Sequence, residues 1–294
     1  MHVIETAATF RAALDGERCS GRRVGLVPTM GALHDGHASL VRRAAKECDV
    51  VATTIFVNPL QFGPDEDLER YPRDLEGDRS AAEAAGSDYL FVPSEREMYP
   101  REPLARVTVT TTEDGPEAAS RPGHLDGVAT VVTKLFALTG PCRAYFGEKD
   151  HEQLEVVRAL AADLSFPVEV VACPTVRAPD GLAQSSRNAY LTADERRAAP
   201  VLYRALRAGK ACIESGERDP AVVSRVMSDL VGSGPTVHLD YAEARPGDAE
   251  WRLFLAAHVG VARLIDTIAV PIGAVPGGAV PVGAAPVRTV PAGR

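Results

Sequence analysis

The chain has 294 residues, 45% of them hydrophobic and 24% charged, a balance that excludes a disordered or membrane-embedded protein and fits one large domain or two of ordinary size. Forty Asp and Glu against 32 Lys and Arg give a formal net charge of -8, which argues against nucleic acid as a partner. Five scattered cysteines (Cys19, Cys48, Cys142, Cys173 and Cys212) are odd in number and never spaced C-x-x-C, disfavouring a disulfide framework and a zinc ribbon alike.

The opening Met1-His2-Val3-Ile4-Glu5 meets an acid before any apolar run, unlike a secretory signal, so the cytoplasm is the expected compartment. No stretch of about 18 apolar residues predicts a membrane span. Residues 24–27 read as a strand, 28–36 as a turn, 38–47 as a helix and 50–57 as a strand, which is a β-α-β unit. A helix is expected at 74–85, a strand at 89–92, an edge strand at 107–112, helices at 128–138 and 151–164, and strands at 144–146 and 168–172. This alternation implies a parallel sheet covered by helices. After Pro174 the pattern changes to helices over 193–215 and 220–231, then strands at 237–243, 253–258 and 264–270. The expected organisation is α/β, with a parallel-sheet domain over 1–175 and a smaller α+β domain over 176–270. A Pro/Gly/Ala/Val-rich tail over 271–294 is expected to be largely irregular.

The segment Pro28-Thr29-Met30-Gly31-Ala32-Leu33-His34-Asp35-Gly36-His37 joins the first of these strands to its helix. Ligands of open α/β sheets bind at the carboxyl ends of strands, where helix N-termini offer free N–H groups and partial positive charge. An anion fits here. His34 and His37, three residues apart, can face one side of the first turn and donate to phosphate oxygens, while Gly31 and Gly36 would let a nucleotide approach the backbone. A metal half-site lacks a nearby Cys or spaced acid to complete it, so no metal site is assigned. A capping or surface role for the two histidines leaves the glycines unexplained.

Asn58 and Gln61 follow an apolar strand in Ile55-Phe56-Val57-Asn58-Pro59-Leu60-Gln61-Phe62, and could orient a polar substrate or only form a turn. Lys149, in Phe146-Gly147-Glu148-Lys149-Asp150-His151-Glu152-Gln153, would stand at a helix start. The helix dipole disfavours an ammonium there unless an anion lies between them; a solvated surface charge is the competing reading. Gly181-Leu182-Ala183-Gln184-Ser185-Ser186-Arg187-Asn188 reads as a loop able to close over a polyphosphate, or as an ordinary Ser-rich turn. Arg121 and His124, in Arg121-Pro122-Gly123-His124-Leu125-Asp126-Gly127, bring a further cation able to neutralise a substrate carboxylate.

In this order the segments resemble the pantothenate synthetases, the pantoate:β-alanine ligases of the nucleotidylyltransferase superfamily with its H-x-G-H motif. The resemblance runs continuously from Pro28 to about Leu191 and more weakly beyond. It implies a Rossmann-like fold, a homodimer, and ATP and Mg²⁺ as cofactors. Carried over by position, the implied ATP-binding residues are Pro28, Met30, His34, His37, Gly147, Lys149, Asp150, Val176, Ser185, Ser186 and Arg187. His34, His37, Lys149 and Arg187 act in catalysis, and Met30, Asn58, Gln61, Arg121, His124 and Gln153 hold substrate. The implied reaction makes an acyl adenylate of pantoate, releases pyrophosphate, and lets β-alanine displace AMP. The family usually has K-D-Y-Q-Q where this chain has Lys149-Asp150-His151-Glu152-Gln153, Met at Gln184, and Thr, Phe and Ala at Gly123, Leu125 and Asp126. These departures motivate an alternative: a specialised-metabolism paralogue joining a different acid or amine by the same chemistry.

Overall fold

The computed structural model describes residues 1–110, 115–232 and 236–272. In chain order the first part contains β1 (His2–Ile4), α1 (Ala7–Cys19), β2 (Val24–Thr29), α2 (Asp35–Glu47), β3 (Val50–Ile55), α3 (Leu75–Ala85), β4 (Tyr89–Phe91) and α4 (Glu95–Met98). There follow α5 (Pro116–Ser120), α6 (His124–Thr139), β5 (Cys142–Gly147), α7 (His151–Asp163) and β6 (Val168–Cys173). All six strands run parallel in the order β1-β4-β3-β2-β5-β6. Every residue of β3 is buried, because helices cover both faces, so β3 needs no polar alternation. Phe10, Leu26, Phe91, Phe136 and Leu154 centre the core on one face; Val27, Val41, Ala44, Val51 and Tyr145 centre it on the other.

The chain returns to opposite sides of β2: β3 pairs along its whole length, to Thr29↔Ile55, whereas β5 pairs only at Gly25↔Arg143 and Leu26↔Ala144. Beyond Leu26 the two central strands part at their carboxyl ends. Pro28 lies in the parted stretch, where its missing N–H costs no bond to β5. Such a reversal of strand order opens a crevice between neighbouring connections.

The second part contains α8 (Ala193–Ala198), α9 (Val201–Glu214), α10 (Pro220–Val231), β7 (Val237–Pro246), β8 (Glu250–Val259) and β9 (Ala262–Pro271). The three strands form an antiparallel sheet in that order. Leu202, Leu206, Met227, Val231, Leu253 and Leu255 pack α9 and α10 onto it. Buried Asp266 of β9 ties this sheet to the stretch after β6 through a two-pronged pair with Arg177, at 2.5 and 2.8 Å.

Several expectations need correction. The edge strand expected at 107–112 is no strand over residues 107–110, and 111–112 lie outside the described residues. Side chains of α6 take its amides instead: Val107 N donates to Thr130 Oγ1 at 3.0 Å and Val109 N to Asp126 Oδ1 at 2.8 Å. The helix expected over 193–215 is two, broken at Pro200, which cannot supply an interior amide. The expected helix at 128–138 begins four residues earlier, at His124. Of the expected tail, residues 273–294 lie outside the described residues, while β9 reaches Pro271. Among the described residues no helix is long and apolar enough to cross a membrane.

One glycine fixes how α6 meets the cleft. A Cβ on Gly127 would stand 2.1 Å from the Leu60 carbonyl oxygen and 2.6 Å from Gln61 Cα, and backbone cannot yield cheaply. Gly127→Ala should therefore destabilise the fold by about 1–3 kcal/mol, as overpacking does. Urea denaturation checks this; an unchanged midpoint would show that the helix shifts freely.

Candidate active site

The β2–α2 loop forms one lip of the crevice. Gly31 has φ +85°, and a Cβ there would lie 2.8 Å from Asp78 Oδ2. Asp78, from the first turn of α3, accepts from the amides of Ala32 at 2.9 Å and Leu33 at 2.6 Å, and burial raises its pKa. His34 is the N-cap of α2, its Nδ1 accepting from Gly36 N at 3.1 Å. A Cβ on Gly36 would sit 2.7 Å from the His34 ring. Both glycines make room for protein groups, Asp78 and His34, and Gly36 also borders the recess beside the histidines. Open space is instead at Gly147, where an added Cβ meets nothing within 4 Å.

The capping reading of His34 holds, and it also defines the ring's chemistry. With Nδ1 accepting, the proton of the neutral ring is on Nε2, which remains a donor. The His34 and His37 rings stack with centroids 4.0 Å apart and planes 27° from parallel. Burial first, then the Lys149 charge, lowers His34 to about 4. His37 is pushed well below its ordinary value by burial, then by His34 and Lys149. Its Nδ1 is buried without a hydrogen-bond partner. At neutral pH the pair is therefore two uncharged rings, with Lys149 the cation that acts on both.

Lys149 stands just before α7, its Nζ 3.7 Å from the Asp150 carboxylate. Asp150 is the N-cap residue of α7 but makes no side-chain cap bond, so the helix's positive end is not quenched by a side-chain acceptor at the cap. Pro28, Met30, His34, His37, Gln61, Lys149, Asp150, Gln153, Ser185, Ser186 and Arg187 line one cleft. An adjoining recess is lined by Pro28, His34, Gly36, His37, Gly147, Val176 and Gln184, among others.

Opposite the histidines, Gln61 Nε2 donates to Met30 Sδ at 3.0 Å and Gln61 Oε1 accepts from Asn58 Nδ2 at the same distance. Asn58 itself lies behind the wall, almost wholly buried. It also donates to Gly127 O and accepts from Tyr99 OH and Leu60 N. Its amide is satisfied within the protein, so it orients Gln61 rather than facing the cleft. Ser185 caps the 3-10 turn Ser186–Tyr190, and Ser186 Oγ donates to Ala32 O at 3.0 Å, fastening this turn to the histidine loop. Arg187 Nε and Nη2 grip Asp67 at 2.8 and 2.7 Å.

Arg121 departs from the expectation of a cation awaiting a substrate carboxylate. Glu66 takes its Nε and Nη2 at 2.7 and 2.5 Å, Glu117 accepts from Nη1 at 3.2 Å, and Gln61 O accepts at 3.2 Å. Its remaining contact is His124 Nε2 at 3.0 Å, while His124 Nδ1 meets Gln61 O at 2.8 Å. Burial, then Arg121, lowers His124 to about 4. Arg121 and His124 brace the turn that carries Gln61. Burial opposes the charge on Glu117, but Arg263 and Arg121 outweigh it and hold the carboxyl down at about 2. Arg263 of β9 and Tyr241 of β7 both donate to Glu117, joining the antiparallel sheet to the cleft. No motif announced Asp78, Glu66, Asp67 or Glu117. Each is an ordinary acid in sequence that gains its role from a partner 45 to 146 residues away.

Among the described residues no three His, Cys, Asp or Glu side chains converge as a metal cluster. A family model described as pantoate-beta-alanine ligase matches residues 2–269. The chain belongs to the pantoate-beta-alanine ligase family. Relatives named pantothenate synthetase include that of Thioalkalivibrio sulfidiphilus, 50% identical over 92% of this chain and 99% of the relative. Another, from Caldicellulosiruptor saccharolyticus, is 49% identical over 86% and 93%. Of solved structures, the pantothenate synthetase of Thermus thermophilus superposes with a TM-score of 0.84 at 48% identity, covering 91% of this chain and 99% of that one. The pantoate-beta-alanine ligase of Francisella tularensis, complexed with beta-gamma ATP and beta-alanine, superposes with a TM-score of 0.78 at 34% identity over 92% and 97%. The Rossmann-like parallel sheet with a smaller antiparallel C-terminal sheet is thus the family's fold.

The depressed histidines have a consequence for stability. His34 and His124 are neutral down to about pH 4 when folded, but protonate near 6.5 when unfolded. Their contribution is full above pH 6.5 and is lost as pH falls toward 4, because the unfolded chain then binds the extra protons. The urea midpoint should fall across that window, less steeply in a His124→Asn variant. An identical slope would mean that His124 titrates normally in the fold.

Proposed function

We propose that this chain condenses pantoate with β-alanine at the expense of ATP, through an acyl adenylate, releasing AMP and pyrophosphate. The observation that carries the reading is the stacked neutral pair His34 and His37 beside Lys149, at the mouth where β2 and β5 part. A carboxylate is a poor electrophile with no good leaving group, so it must be activated. A pantoate oxygen attacks the α-phosphorus of ATP and pyrophosphate departs; the β-alanine amine then attacks the acyl carbon and AMP departs.

Charge gathers on phosphoryl oxygens during the first step. His34 Nε2–H is a preorganised donor to them, His37 lies against it, and Lys149 supplies the compensating charge. Ser185, Ser186 and Arg187 hold the phosphate chain, and Gly147, Asp150 and Val176 border the nucleoside. Met30, Gln61 and Gln153 hold the acid, with Asn58, Arg121 and His124 fixing Gln61 from behind. Mg²⁺ fits as an ion bound mainly through nucleotide oxygens, since Asp150 is the carboxylate lining the cleft beside Lys149. It would neutralise phosphate charge there. Water destroys an acyl adenylate, so the 184–188 loop and the unit over 176–270 act as a cover for the 1–175 unit. The working form is a homodimer in the cytoplasm, as the resemblance implies; light scattering measures its mass.

Several departures from the family pattern engage the protein's own groups. Glu152 accepts from the amides of Glu117 and Ala118, at 2.9 and 3.1 Å, and His151 packs against Phe254 with centroids 5.8 Å apart. Leu125 is buried with Ala129 and Val156, and Asp126 accepts from Val109 N. These contacts favour pantoate and β-alanine over the paralogue with another acid or amine, although Gln184 lines the recess and Leu125, His151 and Glu152 line a small cavity beside Lys149 and Gln153.

With ATP, pantoate and β-alanine the protein should yield pantothenate, AMP and pyrophosphate; mass spectrometry showing no pantothenate would favour the paralogue. His34→Ala and His37→Ala should each lower pantoate-dependent pyrophosphate exchange by roughly 10²–10³. Wild-type exchange rates in well-folded variants would remove the histidines from the mechanism.

A further inference from the structure

Arg187 does not meet the cleft as a loose cation. Its Nε and Nη2 donate side by side to the two oxygens of Asp67, and its guanidinium carbon lies 5.8 Å from the centre of the Tyr71 ring. Two parallel bonds fix the plane of a guanidinium as one cannot. Asp67 belongs to the stretch between the 3-10 turn Pro59–Gln61 and α3, which contains no helix or strand.

The position of the carboxylate is telling. Arg187 lines the cleft that holds His34, His37 and Lys149. Asp67 lines an adjoining recess, which Arg187 shares with Lys149, Asp150 and Gln153, and is absent from the lining around the histidines. Asp67 is thus not part of the wall that His34 and His37 line. The stretch around Asp67 is also held independently: Tyr190 OH donates to Arg70 O at 2.9 Å, and Glu66 binds Arg121. Asp67 is not needed merely to keep this wall in place.

We propose that Asp67 is a positioning residue for Arg187: it holds two of the guanidinium's donors from behind so that the remaining edge is aimed at the triphosphate. This inference rests on the reading that Arg187 binds phosphate. It assigns to Asp67 the part that an outer carboxylate plays behind a ligating side chain, setting direction without touching the ligand.

The test is a double-mutant cycle on the full chain, read by pantoate-dependent exchange of pyrophosphate into ATP. Asp67→Asn should lower kcat about tenfold, as loss of an orienting partner does, with the KM for ATP changed less than about threefold. Asp67→Ser, which removes the acceptor pair without a clashing amide, should behave alike. Arg187→Ala should lose more than either, and adding Asp67→Asn to it should cost nothing further, since the residue to be aimed is gone. Three results would overturn the proposal: an equal cost of Asp67→Asn in both backgrounds, equal losses in the two single variants with a raised KM, or tighter ATP binding with faster exchange. The last would make Asp67 a competing anion. If Arg187→Ala exchanges at the wild-type rate, the phosphate reading of Arg187 fails first, and the inference with it.

Discussion

The structure depends on the early parting of β2 from β5. Two residue pairs join these central strands before they separate, and the gap is where the β2–α2 and β5–α7 connections face one another. One connection delivers two histidines, the other a lysine and a helix N-terminus whose cap makes no side-chain bond. Backbone topology, rather than any single contact, puts an anion-seeking arrangement at this point.

The charge state follows from the same placement. In a desolvated site, rings stacked 4.0 Å apart beside an ammonium both disfavour the second proton that would make an imidazolium. They remain neutral, and a neutral imidazole whose Nδ1 is occupied by a backbone amide presents a defined N–H donor. Gly36 is part of this device, because any side chain there would strike the His34 ring. Opposite, neutrality is replaced by paired charge. Arg121 lies among Glu66 and Glu117, Arg187 against Asp67, and Arg263 reaches across from the antiparallel sheet to Glu117. Buried pairs of this kind specify arrangement more reliably than they add stability. Here they fix the turn carrying Gln61 and connect the second sheet to the cleft wall.

Much of this was legible in the residues. The continuous apolar runs of β2 and β3 and the helical period between them announce the central unit, and the H-x-G-H, G-E-K-D and S-S-R-N segments mark three of the cleft's walls. What escaped was long-range partnership. Val107 and Val109 alternate as a strand does, yet their amides are taken by side chains of α6, which no local pattern encodes. The three-residue β1 and the alanine-rich α1, with only Phe10 and Leu14 buried, give weak periodicity. Arg121 reads as a free cation until Glu66 and Glu117 are seen on it, and the room that Gly31 and Gly36 leave for Asp78 and His34 is not visible in the residues.

The central claim is that the neutral histidine pair grips the nucleotide's phosphates. It is tested most directly by a crystal structure with a non-hydrolysable ATP analogue. The account predicts His34 Nε2 within hydrogen-bond distance of an α- or β-phosphate oxygen, with Lys149 on the same chain of phosphates. A triphosphate lying elsewhere, with both rings turned from it, would contradict the account.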